Sequence, residues 1–141
     1  MPLSTAITAS ATALDAQRAR IEVAVSNIAN AESTRGPDGQ PYRRRDVVLR
    51  AEPIEPFSSS LGRAEAIGVT VNEIVEDQAP FRRRYEPAHP DADSEGFVAM
   101  PNVDVPEEMV DMLGAARAYQ ANLTAINLIR DTIQKALELG R

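Results

Sequence analysis

Few side chains in this chain could do chemistry: a single histidine, no cysteine, one acidic hexapeptide and two arginine triplets. His89 stands between Pro87 and Pro90 in a turn-rich stretch, so it has no helical i, i+4 partner for a metal and no neighbouring nucleophile to serve. Asp91-Ala92-Asp93-Ser94-Glu95-Gly96 begins like a calcium loop, with acids at loop positions one, three and five, glycine at six and Val98 at eight. Position twelve is Asn102, where a bidentate glutamate is needed, and prolines stand where flanking helices should be. The segment reads as a solvated acidic turn leading into a strand. Without cysteine, neither a disulfide nor a thiolate metal site can form, and the sequence has no glycine-rich phosphate loop. No cofactor, metal or small-molecule substrate is expected, and no enzymatic constellation emerges.

Arg43-Arg44-Arg45 follows Tyr42, and Arg82-Arg83-Arg84 precedes Tyr85. Basic residues beside aromatics suit a nucleic-acid surface, but the net charge of −6 argues against general affinity for nucleic acid or membrane. Charge on exposed strand edges, which discourages unwanted pairing, is the simplest reading. In a polymer the same cations would face acids on neighbouring subunits, such as Glu73, Glu76, Asp77, Asp91 or Asp93, and fix orientation.

The elements that position these groups differ sharply between the ends and the middle. Leu3 to Ala31 and Val105 to Leu139 are proline-poor helical stretches. In the first, Ile7, Leu14, Ile21 and Ile28 recur every seventh residue, with Leu3, Ala11 and Val25 beside them. In the second, Met112, Tyr119, Ile126 and Ile133 do the same, beside Ala116, Leu123, Arg130 and Leu137. Leu, Ile, Val and Phe number only 32 of 141 residues, so the chain is poorly equipped to bury such stripes against itself. Partners from other chains are implied. Ser26 to Ala31 closes the first helix, where asparagine tolerates a left-handed C-cap. Asp104-Val105-Pro106-Glu107 opens the second with an N-cap acid and a first-turn proline.

Residues 32–104 hold eight of the ten prolines and five of the seven glycines. Gly36-Pro37-Asp38-Gly39 suits a type I turn with Gly39 at its exit. Strands are expected at Arg45–Arg50, at Val69–Val75, at Phe81–Tyr85 pairing with Val69–Val75, and at Gly96–Met100, with a loop through Pro53, Pro56 and Ser58–Gly62. The predicted fold is mainly α: long N- and C-terminal helices form a coiled-coil-like pair around a small irregular antiparallel β region. Residues 1–31 and 105–141 would make one assembly unit and 32–104 the middle. No basic n-region or unbroken apolar run opens the chain, which predicts neither a cleaved secretory signal nor a membrane span.

Ser26-Asn27-Ile28-Ala29-Asn30-Ala31-Glu32-Ser33-Thr34 resembles the signature that ends the N-terminal helix of bacterial flagellar rod and hook proteins. Gly36 to Arg44, Tyr85-Glu86-Pro87, Met100 to Asp104, Glu108-Met109-Val110 and Arg117 to Leu123 resemble one member of that family over essentially the whole chain. The resemblance implies a non-enzymatic subunit of the rod that crosses the periplasm, exported uncleaved by the flagellar type III apparatus. Implied partners are other proximal and distal rod subunits and the adaptor joining the rod base to the MS ring. It also brings Asn27, Asn30, Met109, Gln120 and Asn122 into the assembly surface, beside the helical stripes. Cytoplasmic adaptor or chaperone, and small nucleic-acid-binding protein, are the alternatives.

Overall fold

The computed structural model describes residues 3–54 and 67–139. Of the loop expected through Pro53, Pro56 and Ser58–Gly62, Pro53 instead ends the first strand, and the rest lies outside the described residues. In chain order the elements are α1 (Leu3–Ala29), β1 (Arg45–Pro53), β2 (Ile67–Glu76), β3 (Arg82–Tyr85), β4 (Phe97–Met100) and α2 (Val105–Leu139). The two terminal helices are 27 and 35 residues long.

The chain divides into two compact units. The first comprises residues 1–19, 48–73 and 114–141, the second 20–47 and 74–113. In the first, β2 docks on α1 through a close approach: the Val69 amide donates to Thr12 Oγ1 at 3.1 Å. A Cβ on Gly68 would lie 2.9 Å from that same oxygen, so the absence of a side chain is what admits the helix.

In the second unit, β3 and β4 pair antiparallel, with Tyr85 opposite Phe97 and Arg82 opposite Met100. This corrects the expected pairing of Phe81–Tyr85 with Val69–Val75: β2 pairs with β1 instead. The reason lies in the 86–96 connection, which closes on itself. Asp93 Oδ1 accepts from the amides of Glu95 and Phe97 at 2.9 Å each, and the Glu86 amide donates to Gly96 O at 2.9 Å. Gly96, at φ 81°, supplies the left-handed residue that turn needs. The start of β1 lies beside the end of β2, where the Asp77 amide donates to Arg44 O at 2.8 Å and Arg45 meets Glu76 at 3.6 Å. Strands so arranged run antiparallel.

A turn forms at Gly36–Gly39 as expected, with the Gly39 amide donating to Gly36 O at 3.0 Å and Gly39 at φ 78°. Asp104 caps α2 through Oδ1, which accepts from the Glu107 amide at 3.4 Å. The end of α1 differs from expectation. Among the described residues no residue other than glycine has positive φ, so no asparagine takes a left-handed cap. Asn30 instead turns its side chain back, Nδ2 donating to Ser26 O at 2.9 Å while Oδ1 accepts from Ser33 Oγ at 3.2 Å. The Ser26 carbonyl, which also accepts from the Asn30 amide at 3.1 Å, is thereby bonded twice by one residue.

Candidate assembly interface

Asn27 lies on the last turns of α1 and is wholly buried. A carboxamide has two N–H donors and two acceptor lone pairs, and all four are matched. Nδ2 donates to Arg45 O at 2.8 Å and to Glu108 Oε2 at 2.9 Å. Oδ1 accepts from Tyr42 OH at 2.9 Å and from the Arg45 amide at 3.0 Å. No other residue type of this size offers both donors and acceptors in one plane. Asn27 thereby pins the entry to β1 and the first turns of α2 to the end of α1.

Glu108 is 2% exposed, and its second oxygen accepts from Arg44 Nε at 2.6 Å. A buried carboxylate is tolerable here because both oxygens are hydrogen-bonded, one by a cation, and because it sits near the N-terminus of α2, where the helix dipole favours negative charge. For Arg44, burial works against the charged form. The bond to Glu108, with the charges of Glu108, Asp46 and Glu107, outweighs it and holds the guanidinium above its ordinary value. The Arg44 amide donates to Asn102 Oδ1 at 2.8 Å, and Asn102 Nδ2 donates to Asp77 O at 3.2 Å. Asn102 thus serves as a strand clip.

The helix stripes divide by bulk. On α1 the buried residues are Thr5, Ala16, Ala24 and Asn27, which fall within an arc of about 100° at 100° per residue. Ile7, Leu14, Ile21 and Ile28 lie along one flank of that arc and are half-buried, while Val25 is exposed. The first helix therefore packs its small residues most deeply and leaves its large ones only partly covered. On α2, Glu108 and Ala115 are buried and Asn122 continues their track half-buried, while Met112, Tyr119, Ile126 and Ile133 are half-buried along a second heptad track. Met109, Val110, Leu113, Leu123, Leu128 and Leu137 are exposed, as is Gln120. Large apolar side chains left exposed in this number suit an interaction surface.

The arginines have partners within the chain. Arg82 meets Asp104 at 3.3 Å, Arg84 meets Glu86 at 2.9 Å, and Arg83 meets Asp93 at 2.9 Å and Glu95 at 3.4 Å. Arg83 also stacks over Phe97, and Arg43 over Phe81, at 4.6 and 4.4 Å from the ring centres. These β3 pairs are solvated and contribute little to stability. The acidic turn is likewise committed: Asp91 binds Thr34 at 2.9 Å and Arg35 at 3.5 Å. Backbone donation from Phe97 is the main cause that holds the Asp93 carboxyl below its ordinary value, aided by Glu95 and Arg83. His89 Nδ1 accepts from the Asp91 amide at 3.1 Å, a turn contact. Among the described residues no group of three histidine or acidic side chains is placed to hold a metal, and no helix is long and apolar enough to cross a membrane.

Two long helices with apolar outer faces, bracketing a turn region fixed by buried amides, are the framework of an assembly subunit. Residues 7–37 match the family described as flagella basal body rod protein, and residues 94–139 match the C-terminal family of flagellar basal body rod FlgEFG proteins. These are structural components of the rod. The flagellar basal-body rod protein FlgC of Salmonella typhimurium is 46% identical over 129 residues, covering 92% of this chain and 91% of that protein. FlgC of Bacillus subtilis is 45% identical over 142 residues, covering 94% of each, and FlgC of Borreliella burgdorferi is 40% identical over 149 residues, covering 99% and 98%. The chain belongs to the FlgC family of flagellar basal-body rod proteins. It is a structural rod subunit of the bacterial flagellum and not an enzyme.

Proposed function

We propose that this subunit polymerises by packing the outer apolar faces of α1 and α2 against helices of neighbouring rod subunits, building the drive shaft needed for motility. The observation that carries this reading is the set of large apolar side chains that the subunit leaves uncovered on its helices, Leu3 and Val25 on α1 and Val110, Leu113, Leu123, Leu128 and Leu137 on α2. Heterologous contacts repeated along an axis make a helical tube, and the assembly supplies the burial that the single chain lacks. In this reading α1 and α2 form a coiled-coil-like assembly unit and residues 32–104 an outer element. Neighbours are proximal and distal rod proteins and the adaptor at the MS ring. The rod spans the periplasm, and the subunit reaches it through the type III export apparatus without a cleaved signal. Asn27 and Asn30 act on assembly indirectly, by fixing where α1 ends, whereas Leu123 and Leu137 act by contact.

Because the sequence has no cysteine, an introduced thiol is unique. Leu14→Cys and Leu123→Cys should react with a maleimide in the isolated subunit and be protected in purified basal bodies. Equal labelling in both states would remove the helices from the interface.

A further inference from the structure

Between the Gly36–Pro41 turn and the entry to β1, the second compact unit opens a basin of about 610 Å³, a size typical of binding clefts. Its charged walls are Arg35, Asp38, Arg43, Arg45 and Glu76, with Tyr42 among them. Three guanidiniums against two carboxylates leave it positive in a chain whose net charge is −6.

The arginines that meet here are not equally committed. Arg44 is spent on the fold, its side chain 18% exposed and its Nε bound to buried Glu108 at 2.6 Å. Its neighbours are held loosely by polar groups: Arg43 Nη1 donates to Asp77 O at 3.4 Å, and Arg45 meets Glu76 at 3.6 Å, both of the latter half exposed. Arg35, on the turn, meets Asp91 at 3.5 Å and is 71% exposed. A strong charge-assisted bond is shorter, about 2.7–2.9 Å. Aromatic rings steady the two strand arginines instead, with Arg43 over Phe81 at 4.4 Å and Arg45 over Tyr42 at 5.6 Å from the ring centres. A guanidinium held against a ring face keeps its in-plane N–H groups for a further acceptor.

The backbone narrows the chemistry of that acceptor. The amides of Gly36, Gly39, Gln40 and Tyr42 already donate to Gln40 O, Gly36 O, Asp38 Oδ1 and Ser33 O. With those N–H groups taken, the turn offers no backbone nest for a compact anion such as phosphate. The positive charge is spread over three side chains and interrupted by Asp38 and Glu76, which repel a dense polyanion. Carboxylates spaced along a peptide fit such a pattern, and the peptide's own N–H groups suit the two acids. We propose that this basin docks an acidic segment of a partner polypeptide, whose carboxylates Arg35, Arg43 and Arg45 engage. The contact is separate from the apolar helix faces and does not depend on their being a seam.

Fluorescence anisotropy of a labelled hexapeptide alternating glutamate and serine, titrated with the full-length protein at low salt, tests it. That peptide should bind and its glutamine–serine counterpart should not. Arg43→Gln combined with Arg45→Gln should weaken binding about tenfold or more, the scale of losing hydrogen bonds to charged groups. Arg35→Gln, on a side chain the fold leaves exposed, should weaken it about threefold and carries the test if the double variant melts early. Arg83→Gln removes the same charge from β3, outside the basin, and should change nothing. Equal weakening by Arg83→Gln would reduce the effect to net charge and overturn the site. So would a natural protein that does not bind the peptide. Displacement of the peptide by inorganic phosphate, where chloride of equal ionic strength leaves it bound, would mark a compact-anion site and overturn the proposal as well.

Discussion

Asn27 Nδ2 donates to Glu108 Oε2 at 2.9 Å across 81 positions of sequence, in a setting where neither side chain meets solvent. The direction of that bond makes a substitution test possible. Asn27→Ala removes four hydrogen bonds and leaves buried partners unmatched, which should cost about 2–4 kcal/mol. Asn27→Asp keeps the acceptor but cannot donate, and it sets a second carboxylate against Glu108. It should be the more damaging of the two despite its near-identical size. Urea unfolding of the three proteins at neutral pH checks the order; an aspartate variant as stable as the natural protein would refute the assigned donor.

Asp93 gives the acid side of the stability profile. Its folded value lies below the ordinary 3.8, through backbone donation from Phe97 first, then from Glu95 and Arg83. A depressed carboxylate contributes stability that is fully present above the unfolded value and is lost as pH falls through the folded one. The stability gap between the natural protein and Asp93→Asn should therefore be constant from neutral pH down to about pH 5 and close below pH 3.8. Thermal melts of both proteins across that range measure it, and a gap that widened in acid would contradict the assignment.

The helices were legible because their signals are local: seven-residue recurrence, an acid and a proline at the start of α2, few breakers within. Which side of α1 faces its own subunit was not. Bulk draws the eye to Ile7, Leu14, Ile21 and Ile28, yet the inward face is Thr5, Ala16 and Ala24, where small side chains leave room for close packing. Strand partners were misread for a related reason. Alternation marks a strand but not its neighbour, and the choice of β4 for β3 is made by Asp93 gripping the backbone of its own turn. The resemblance to flagellar rod proteins drew attention to Asn27 without giving its role. Glu108, Arg44 and Asn102 carry no local signal of a network, since each finds its partner only after the chain has folded.

Gly96 and Gly39 separate backbone strain from crowding. Both have positive φ, 81° and 78°, but a Cβ on Gly96 would lie 3.0 Å from Tyr85 Cε2 and 3.1 Å from Pro87 Cβ, while one on Gly39 would meet open space. Gly39→Ala should cost about 1–2 kcal/mol for the left-handed conformation alone. Gly96→Ala should cost more and loosen the Tyr85–Phe97 edge contact, whose ring centres are 5.2 Å apart. Melting temperatures rank the two; equal losses would mean that Tyr85 yields without cost.

Leu123 and Thr124 are adjacent on α2 and both exposed in the subunit, so a glutamate at either should leave the isolated protein folded. They differ in what they would meet in a polymer. Leu123 belongs to the row with Ala116 and Leu137, whereas Thr124 lies off that row and binds its hydroxyl back to Gln120 O at 2.9 Å. If the row is a seam, Leu123→Glu places an unpaired charge in an apolar contact at a cost of several kcal/mol, repeated in every copy. Rod assembly and swimming should then fail, while export of the subunit persists, because export precedes the contact. Thr124→Glu should be milder on every measure. Swimming, secreted subunit and recovery of basal bodies for the two variants decide the matter. Normal rods with Leu123→Glu, or equal damage from both, would mean that the exposed leucines of α2 are not the seam.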